Sequence, residues 1–444
     1  MTTARRVLDR CADLTSYSAS PERLERTYLT PQHAAANTAV AGWMRDAGLD
    51  TETDAAGNLW GRRAPERPGP PGSRQEPGTR GVPVLVLGSH LDTVPDAGAF
   101  DGPLGVVLAI AVAERLRDTE LPFALEVAGF WDEEGARFGT ALMGSSAVAG
   151  RWNPAWWDRR DADGVTVREA FERFGLDPER VGEAARRPED LVGYLEAHIE
   201  QGPRLEAADL PLAYVTSIAG ARRFVLTVTG EARHAGGTPY ERRRDALAAA
   251  SEVVLAAERL ARSAGALATV GDVHVRPGAV NVIPGVAELT LDVRAVDDPA
   301  RDALVAAVES AGQEIGARRG VTFDVAETHR APSAICSDRL SRAVADGIRA
   351  AGSAVAPGHD VPGLWSPAGH DAMAMAAVTE VGMLFIRCHD GISHHPAESV
   401  REDDVAVALD AFEAAVLAVA RDVPGTGAGR DVPADGARTG GTAP

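Results

Sequence analysis

Hydrophobic and polar positions follow different rhythms in successive parts of this chain. The first segment is helical in period: one run ends near residue 17, and a second, PQHAAANTAVAGWMRDAG, has Pro31 suited to a first turn and Gly48 to a stop. A hairpin-like pair is expected around Asp54 and Asn58. Residues 64–81, APERPGPPGSRQEPGTRG, have a composition that cannot pack and read as a surface insertion. Continuous apolar runs then alternate with helical ones. VPVLVLG reads as a strand, VVLAIAVAERL as a helix and FALEVAGF as a strand; the loop WDEEGARFGT follows, then a helix near 141–149. This alternation predicts an α/β fold: a mixed, mostly parallel sheet covered by helices on both faces. In such sheets ligands gather at the carboxyl ends of strands.

From about 214 to 330 the rhythm changes. RRFVLTVTG, LATVGDVHV and AELTLDVRA alternate like half-buried strands, and 242–262 and 299–316 read as amphipathic helices. Two helices on an antiparallel sheet make a smaller α+β unit inserted into the first. After 331 the α/β pattern resumes, with VGMLFIR as a strand and DDVAVALDAFEAAVLAVARD as a terminal helix. The expected organisation is a discontinuous domain of 1–213 and 331–422, an inserted domain of 214–330, and a low-complexity, disordered tail of 423–444. No internal repeat is visible.

The length of 444 residues fits two domains better than one. A net charge of −19 argues against nucleic acid or an anionic membrane as partner. All 45 basic residues are Arg, and the lack of Lys excludes Schiff-base, pyridoxal-lysine and Walker-type chemistry. Three scattered Cys point to a reducing compartment without a disulfide framework. MTTARRVLDRCADL lacks the apolar core of a signal peptide, and no run of about twenty apolar residues is present. A cytoplasmic protein is expected.

Chemistry concentrates in five loop stretches. They are His90 and Asp92 in GSHLDT, Asp101 in AFDGPLG, Asp132, Glu133 and Glu134 in WDEEG, His198 in AHIEQGP, and His394 and His395 in GISHHPAE. Acidic side chains are costly to desolvate without compensating positive charge. Imidazoles plus carboxylates are a donor set that Zn²⁺, Mn²⁺ and similar ions accept. A carboxylate shared by two ions would hold them about 3.5–4 Å apart, the spacing of two-metal hydrolysis. His274, His359, Asp54 and the acids of REDD read as surface, core or capping groups. Ser146 reads as helix packing, and the neighbours Cys388 and His389 as packing or site wall. Neither a His-Glu-x-x-His helix nor a G-x-S-x-G elbow occurs.

GSHLDT, FDGPLG, WDEEGARFG, HIEQGP, HAGGTP, VNVIPG, the DVR at 292–294, AGHDA and GISHHPAE occur in this order. Together they resemble the di-metal amidohydrolases of the aminoacylase and carboxypeptidase G superfamily, in the branch that cleaves ureido and carbamoyl groups. The likeness runs from about residue 8 to 420. ERTYLTP, LDTVPDAGAFDG, SSAVAG and FIRCHDGISHHPAE are most similar to the allantoate amidohydrolases. The resemblance implies two divalent ions per subunit, Mn²⁺ favoured, with Zn²⁺, Co²⁺ or Ni²⁺ also compatible. It implies His90, Asp101, Glu134, His198 and His394 as ligands, with Asp101 bridging. Asp92 would orient His90 through its second ring nitrogen. Glu133 would be the general base, and His234, supplied across a homodimer, would stabilise the oxyanion. Arg294 and Asn281 would bind the substrate carboxylate, with Gln201 and Gly369 lining the pocket. Segment 214–330 would be the dimerising lid. HAGGTP, with its second Gly, and SPAGHDA, with Pro367, depart from the usual pattern without removing a catalytic group.

The expected reaction is hydrolysis of a ureido C–N bond in a small-molecule ureido carboxylate. Allantoate is the first choice; carbamoyl-L-amino acids and ureidoglycolate are rivals. A catalytically silent dimeric binding protein is the alternative from another class.

Overall fold

The computed structural model describes residues 2–63, 82–352 and 360–423. The insertion at 64–81, His359 and all but the first residue of the expected tail lie outside the described residues. A nine-stranded mixed sheet forms the larger layer. Its centre runs in the order Ala124–Phe130, Val84–His90, Leu191–Ile199, Val381–Ile386, and neighbouring strands there are parallel. Val84–His90 and Ala124–Phe130 are buried at every position, which is why they read as unbroken apolar runs. The hairpin Asp50–Thr53/Leu59–Arg63 extends one side antiparallel. Leu212–Ile218, Ala334–Ile335 and Gly363–Ser366 extend the other.

The helix Pro103–Arg115 is buried at every residue from Pro103 to Ala113. It is apolar all round because it is covered on all sides. The sheet lies under it, and helices Thr3–Leu14 and Glu402–Asp422 lie over it. Among the described residues, no helix is long and apolar enough to cross a membrane.

Five antiparallel strands form a second sheet. Phe224, Leu226, Val228, Leu289, Leu291 and Val293 point to one face. They share a separate hydrophobic cluster with the helices Ala246–Ala264 and Asp298–Arg319. The alternate positions Arg223, Asp292 and Arg294 lie on the other face, as the two-residue period requires.

Differences from the expected elements have local causes. LATVGDVHV is two strands, Leu267–Thr269 and Val273–Arg276, separated at Val270–Asp272, where the backbone and side chain of Thr290 bond Asp272 instead. The edge strand Thr322–Arg330 is mostly exposed and polar, so it carries little apolar signal. Leu191–Ile199 escapes an apolar pattern because it buries Glu196 and His198. Leu212–Ile218 belongs to the large sheet. The change of sheet therefore falls at Ala219–Gly220, not at 214.

Candidate metal centre

Four adjacent parallel strands deliver the chemistry at their carboxyl ends. Val84–His90 ends in His90 and is followed by Asp92 and Asp101. Ala124–Phe130 is followed by Glu133 and Glu134. Leu191–Ile199 carries His198, and Val381–Ile386 leads to His394. Gly102 is needed for close approach: a Cβ there would stand 2.4 Å from His90 Cε1, and φ is +86°. Non-glycine residues of these loops with positive φ include Asp132, Gln201 and His394, at +65°, +55° and +57°. Such conformations cost about 1–3 kcal/mol each and gather where a site must be held in shape.

The donors converge in two sets that share Asp101. His90, Asp101 and His198 form one; Asp101, Glu134 and His394 form the other; within each, ligand atoms lie within 4.8 Å of one another. Asp101 Oδ1 is 3.2 Å from His198 Nε2 and 3.7 Å from His90 Nε2. Asp101 Oδ2 is 3.2 Å from His394 Nε2, which is 3.3 Å from Glu134 Oε1. Two ligands about 2.1 Å from a tetrahedral ion stand about 3.4 Å apart, so the spacing fits shared ions.

The tautomers point the same way. His90 Nδ1 donates to the Asp92 carbonyl at 3.1 Å, and His198 Nδ1 donates to the Ile199 carbonyl at 2.9 Å. A carbonyl only accepts, so both Nδ1 atoms carry hydrogen, and Nε2 is the atom that each ring turns toward Asp101. Those two nitrogens face each other at 3.4 Å beside a carboxylate. Two imidazole nitrogens and a carboxylate converging on one buried point make a candidate cation site.

Electrostatics agree. Burial holds His90 neutral, with its pKa pushed down to about 3. Burial opposes charging His198 as well, but the hydrogen bond and charge of Asp101 outweigh it and lift its pKa to about 9. Burial, reinforced by the negative charges of Glu134 and Asp371, pushes Glu133 well above the usual carboxylate range. Burial and the charge of Asp101 lift Glu134 to about 8. Ionising these acids together calls for positive charge among them.

Asp92 reaches His90 through its backbone carbonyl; its Oδ1 stands 3.6 Å from the ring nitrogen. The carboxylate instead accepts the N–H groups of Glu133 at 3.2 Å and Glu134 at 3.1 Å, fixing the acidic loop. Gln201 donates its amide to Asp101 Oδ2 at 2.8 Å. Gly369 adjoins Glu133, whose Oε1 would be 3.5 Å from a Cβ there. Arg294 donates to the Pro367 carbonyl and to Asp292, both at 2.8 Å, so it bridges the second sheet and the site wall. His234 and Asn281 are exposed and lie together, with Ala235 N–H donating to the Asn281 carbonyl. Among the described residues, no hydrogen bond or ion pair joins them to the acidic loops. Cys388 and His389 are not a pair: Cys388 is buried, and exposed His389 bonds Glu206 at 3.0 Å.

Several site groups carry no role in the sequence reading. Arg26 is fully buried and donates to the Leu91 and Leu14 carbonyls at 2.7 and 2.6 Å, anchoring the loop behind His90. Glu196, His198 and His370 form a further buried donor group. Asp371 is fully buried, and burial with the charge of Glu196 pushes its carboxyl well above the usual range. AGHDA was visible as a motif, but nothing in it tells which of its polar groups are buried.

The chain belongs to Peptidase family M20/M25/M40, which matches residues 86–418. The resemblance read from the motifs is thus borne out. At 38% identity it matches an N-carbamoyl-L-amino acid amidohydrolase of Geobacillus stearothermophilus, over 87% of this chain and 90% of that one. At 39% it matches a probable allantoate deiminase of Oryza sativa subsp. japonica, over 86% and 82%. A hydantoinase/carbamoylase family amidase from Burkholderia multivorans superposes with a TM-score of 0.82 at 31% identity, over 94% of this chain and 98% of that one.

Proposed function

We propose that this protein hydrolyses a ureido or carbamoyl C–N bond with two divalent cations per subunit, and that allantoate is its substrate. The observation that carries the reading is the pair of donor sets joined by Asp101, with Glu133 beside them. His90 and His198 would hold one ion, Glu134 and His394 the other, and Asp101 both. Ions so held lower the pKa of water and polarise the carbonyl.

The chain's own residues supply the rest. Glu133, made a usable base by the cations, takes a proton from the attacking water and returns it to the leaving nitrogen. Ammonia and CO₂ leave, and ureidoglycine remains. Arg294 and Asn281 clamp the substrate carboxylate, Arg294 exchanging its Pro367 or Asp292 contact for the ligand. Gln201 and Gly369 line the pocket. We assign 1–219 with 331–422 to the catalytic domain and 220–330 to a dimerising lid. His234 reaches the oxyanion from the partner subunit, which accounts for its exposure within its own chain. The acidic net charge of −19 argues against a nucleic-acid partner, and the three scattered Cys favour a reducing compartment such as the cytoplasm.

The relatives name carbamoyl amino acids and allantoate at nearly equal identity, 38% and 39%. Arg294 and Asn281 would serve both substrates, so choice falls to polar groups around the second ureido arm. Buried polar groups left unpaired reject an apolar analogue. The test is a substrate panel on Mn²⁺-loaded and Zn²⁺-loaded enzyme. Allantoate should exceed N-carbamoyl-leucine in kcat/KM by at least about a hundredfold, about 2.7 kcal/mol. Faster turnover of apolar carbamoyl amino acids would replace allantoate with that substrate class.

A further inference from the structure

Glu398 closes the GISHHPAE stretch and has no role in the scheme above. It is buried, at 5% exposure. Its Oε1 accepts two backbone N–H groups, from Phe100 at 2.6 Å and Asp101 at 3.0 Å. Its Oε2 faces the Ser393 hydroxyl at 3.3 Å. Ser393 Oγ also touches Asp101 Oδ2, and the Gln201 amide donates to that oxygen at 2.8 Å and to Ser393 Oγ at 3.5 Å. One carboxylate therefore grips the backbone of the Asp101 loop with one oxygen and the immediate neighbour of His394 with the other. Gly98 leaves it room: a Cβ there would stand 2.3 Å from Glu398 Cβ.

We propose that Glu398 is a positioning residue that completes the Asp101–Glu134–His394 donor set; this rests on the two-cation reading above. The two donor sets are not held alike. His90 and His198 are buried and lie on strands, and their Nδ1 atoms are pinned to backbone carbonyls. His394 sits on a loop with its side chain 47% exposed, and its ring contacts are with the other donors. Its loop is tied to Asp101 through Ser393 and Glu398. Removing the Glu398 carboxylate leaves the buried Asp101 N–H and the part-buried Phe100 N–H without their partner and unties the loops. Two strand-borne imidazoles survive that release. A set gathered from three separate loops does not, so the loss falls on one ion.

The test uses the full chain and its E398A, E398Q and G98A variants, stripped with chelator and titrated with Mn²⁺ alone. Calorimetry and metal analysis after gel filtration read the stoichiometry. The parent should bind two ions. E398A should keep one and bind the second about 10–100-fold more weakly. G98A should match E398A, because the added methyl displaces Glu398. E398Q should stay near the parent, because its amide oxygen still accepts both N–H groups and its NH₂ meets Ser393 Oγ. The proposal is overturned if E398A binds both ions as tightly as the parent, or if E398Q loses an ion as E398A does. Should circular dichroism show E398A unfolded, G98A against E398Q decides by the same criterion. A parent that binds fewer than two ions overturns the two-cation reading itself, a result distinct from either.

Discussion

The strand-end loops of the large sheet and the open face of the second sheet carry complementary halves of the proposed chemistry in opposite physical states. At the strand ends, His90, Asp92, Asp101, Glu133 and His198 are buried and interlocked. On the second sheet and the ladder beside it, His234 and Asn281 are exposed, and Arg294 is half-buried on Asp292 and a carbonyl. Converging ligands must be preorganised, since carboxylates and imidazoles left to relax would separate or take up protons. Groups that meet the substrate only on closure must stay open until it arrives. Under the proposed function, the difference is that of a preorganised metal centre and a substrate clamp still open.

The strongest challenge to this contrast is at Glu133. Glu133→Gln should retain both ions by metal analysis and lose about 10²–10⁴ in kcat, because the amide binds water but cannot take its proton. A near-parental rate would remove Glu133 from the base role. Next comes the clamp across subunits. His234→Ala and Glu133→Gln proteins, each inactive, should regain partial activity when mixed and re-dimerised, since one hybrid site then holds both intact groups. No recovery, with heterodimers demonstrated, would place His234 in its own chain's site.

Arg294→Gln should be milder. Loss of a charge-assisted hydrogen bond of about 1.5–3 kcal/mol lowers kcat/KM about 10–100-fold for carboxylate substrates. The metal content should not change, and a change would mean that Arg294 supports the centre itself.

The smallest effect lies in the scaffold. His33 is fully buried against Trp131, with ring centroids 3.7 Å apart, and burial pushes its pKa down to about 3. The unfolded chain protonates it near pH 6.5 while the folded protein does not, so its contribution to stability falls with acidification below about 6.5 and down to about 3. Between pH 7 and 5 the parent should lose about 2 kcal/mol relative to His33→Gln in urea unfolding. Parallel pH profiles would show that His33 is not held neutral.

Legibility divides along the same line. Apolar runs such as VPVLVLG and FALEVAGF announced central strands because burial on both faces requires apolar residues at successive positions. The acids after them stood out because acidic groups at buried strand ends need a reason. Leu191–Ile199 was hidden by the polar residues it buries, Glu196 and His198. Thr322–Arg330 was hidden because an exposed edge strand has no apolar face to show. Arg26, Glu196, Ser393 and Glu398 escaped for another reason: their importance lies in what they touch.

The sequence by itself determined the α/β class, the loops that converge and the candidate donor residue types, because burial and metal affinity act on residue identity and local order. Only the tertiary structure decided that Asp101 turns one oxygen to His198 and the other to His394, that Asp92 holds the acidic loop by its carboxylate, and that Glu398 ties loops 297 residues apart. Those contacts join distant segments, and their geometry is set by how the strands stack side by side, which a linear order of residues does not contain.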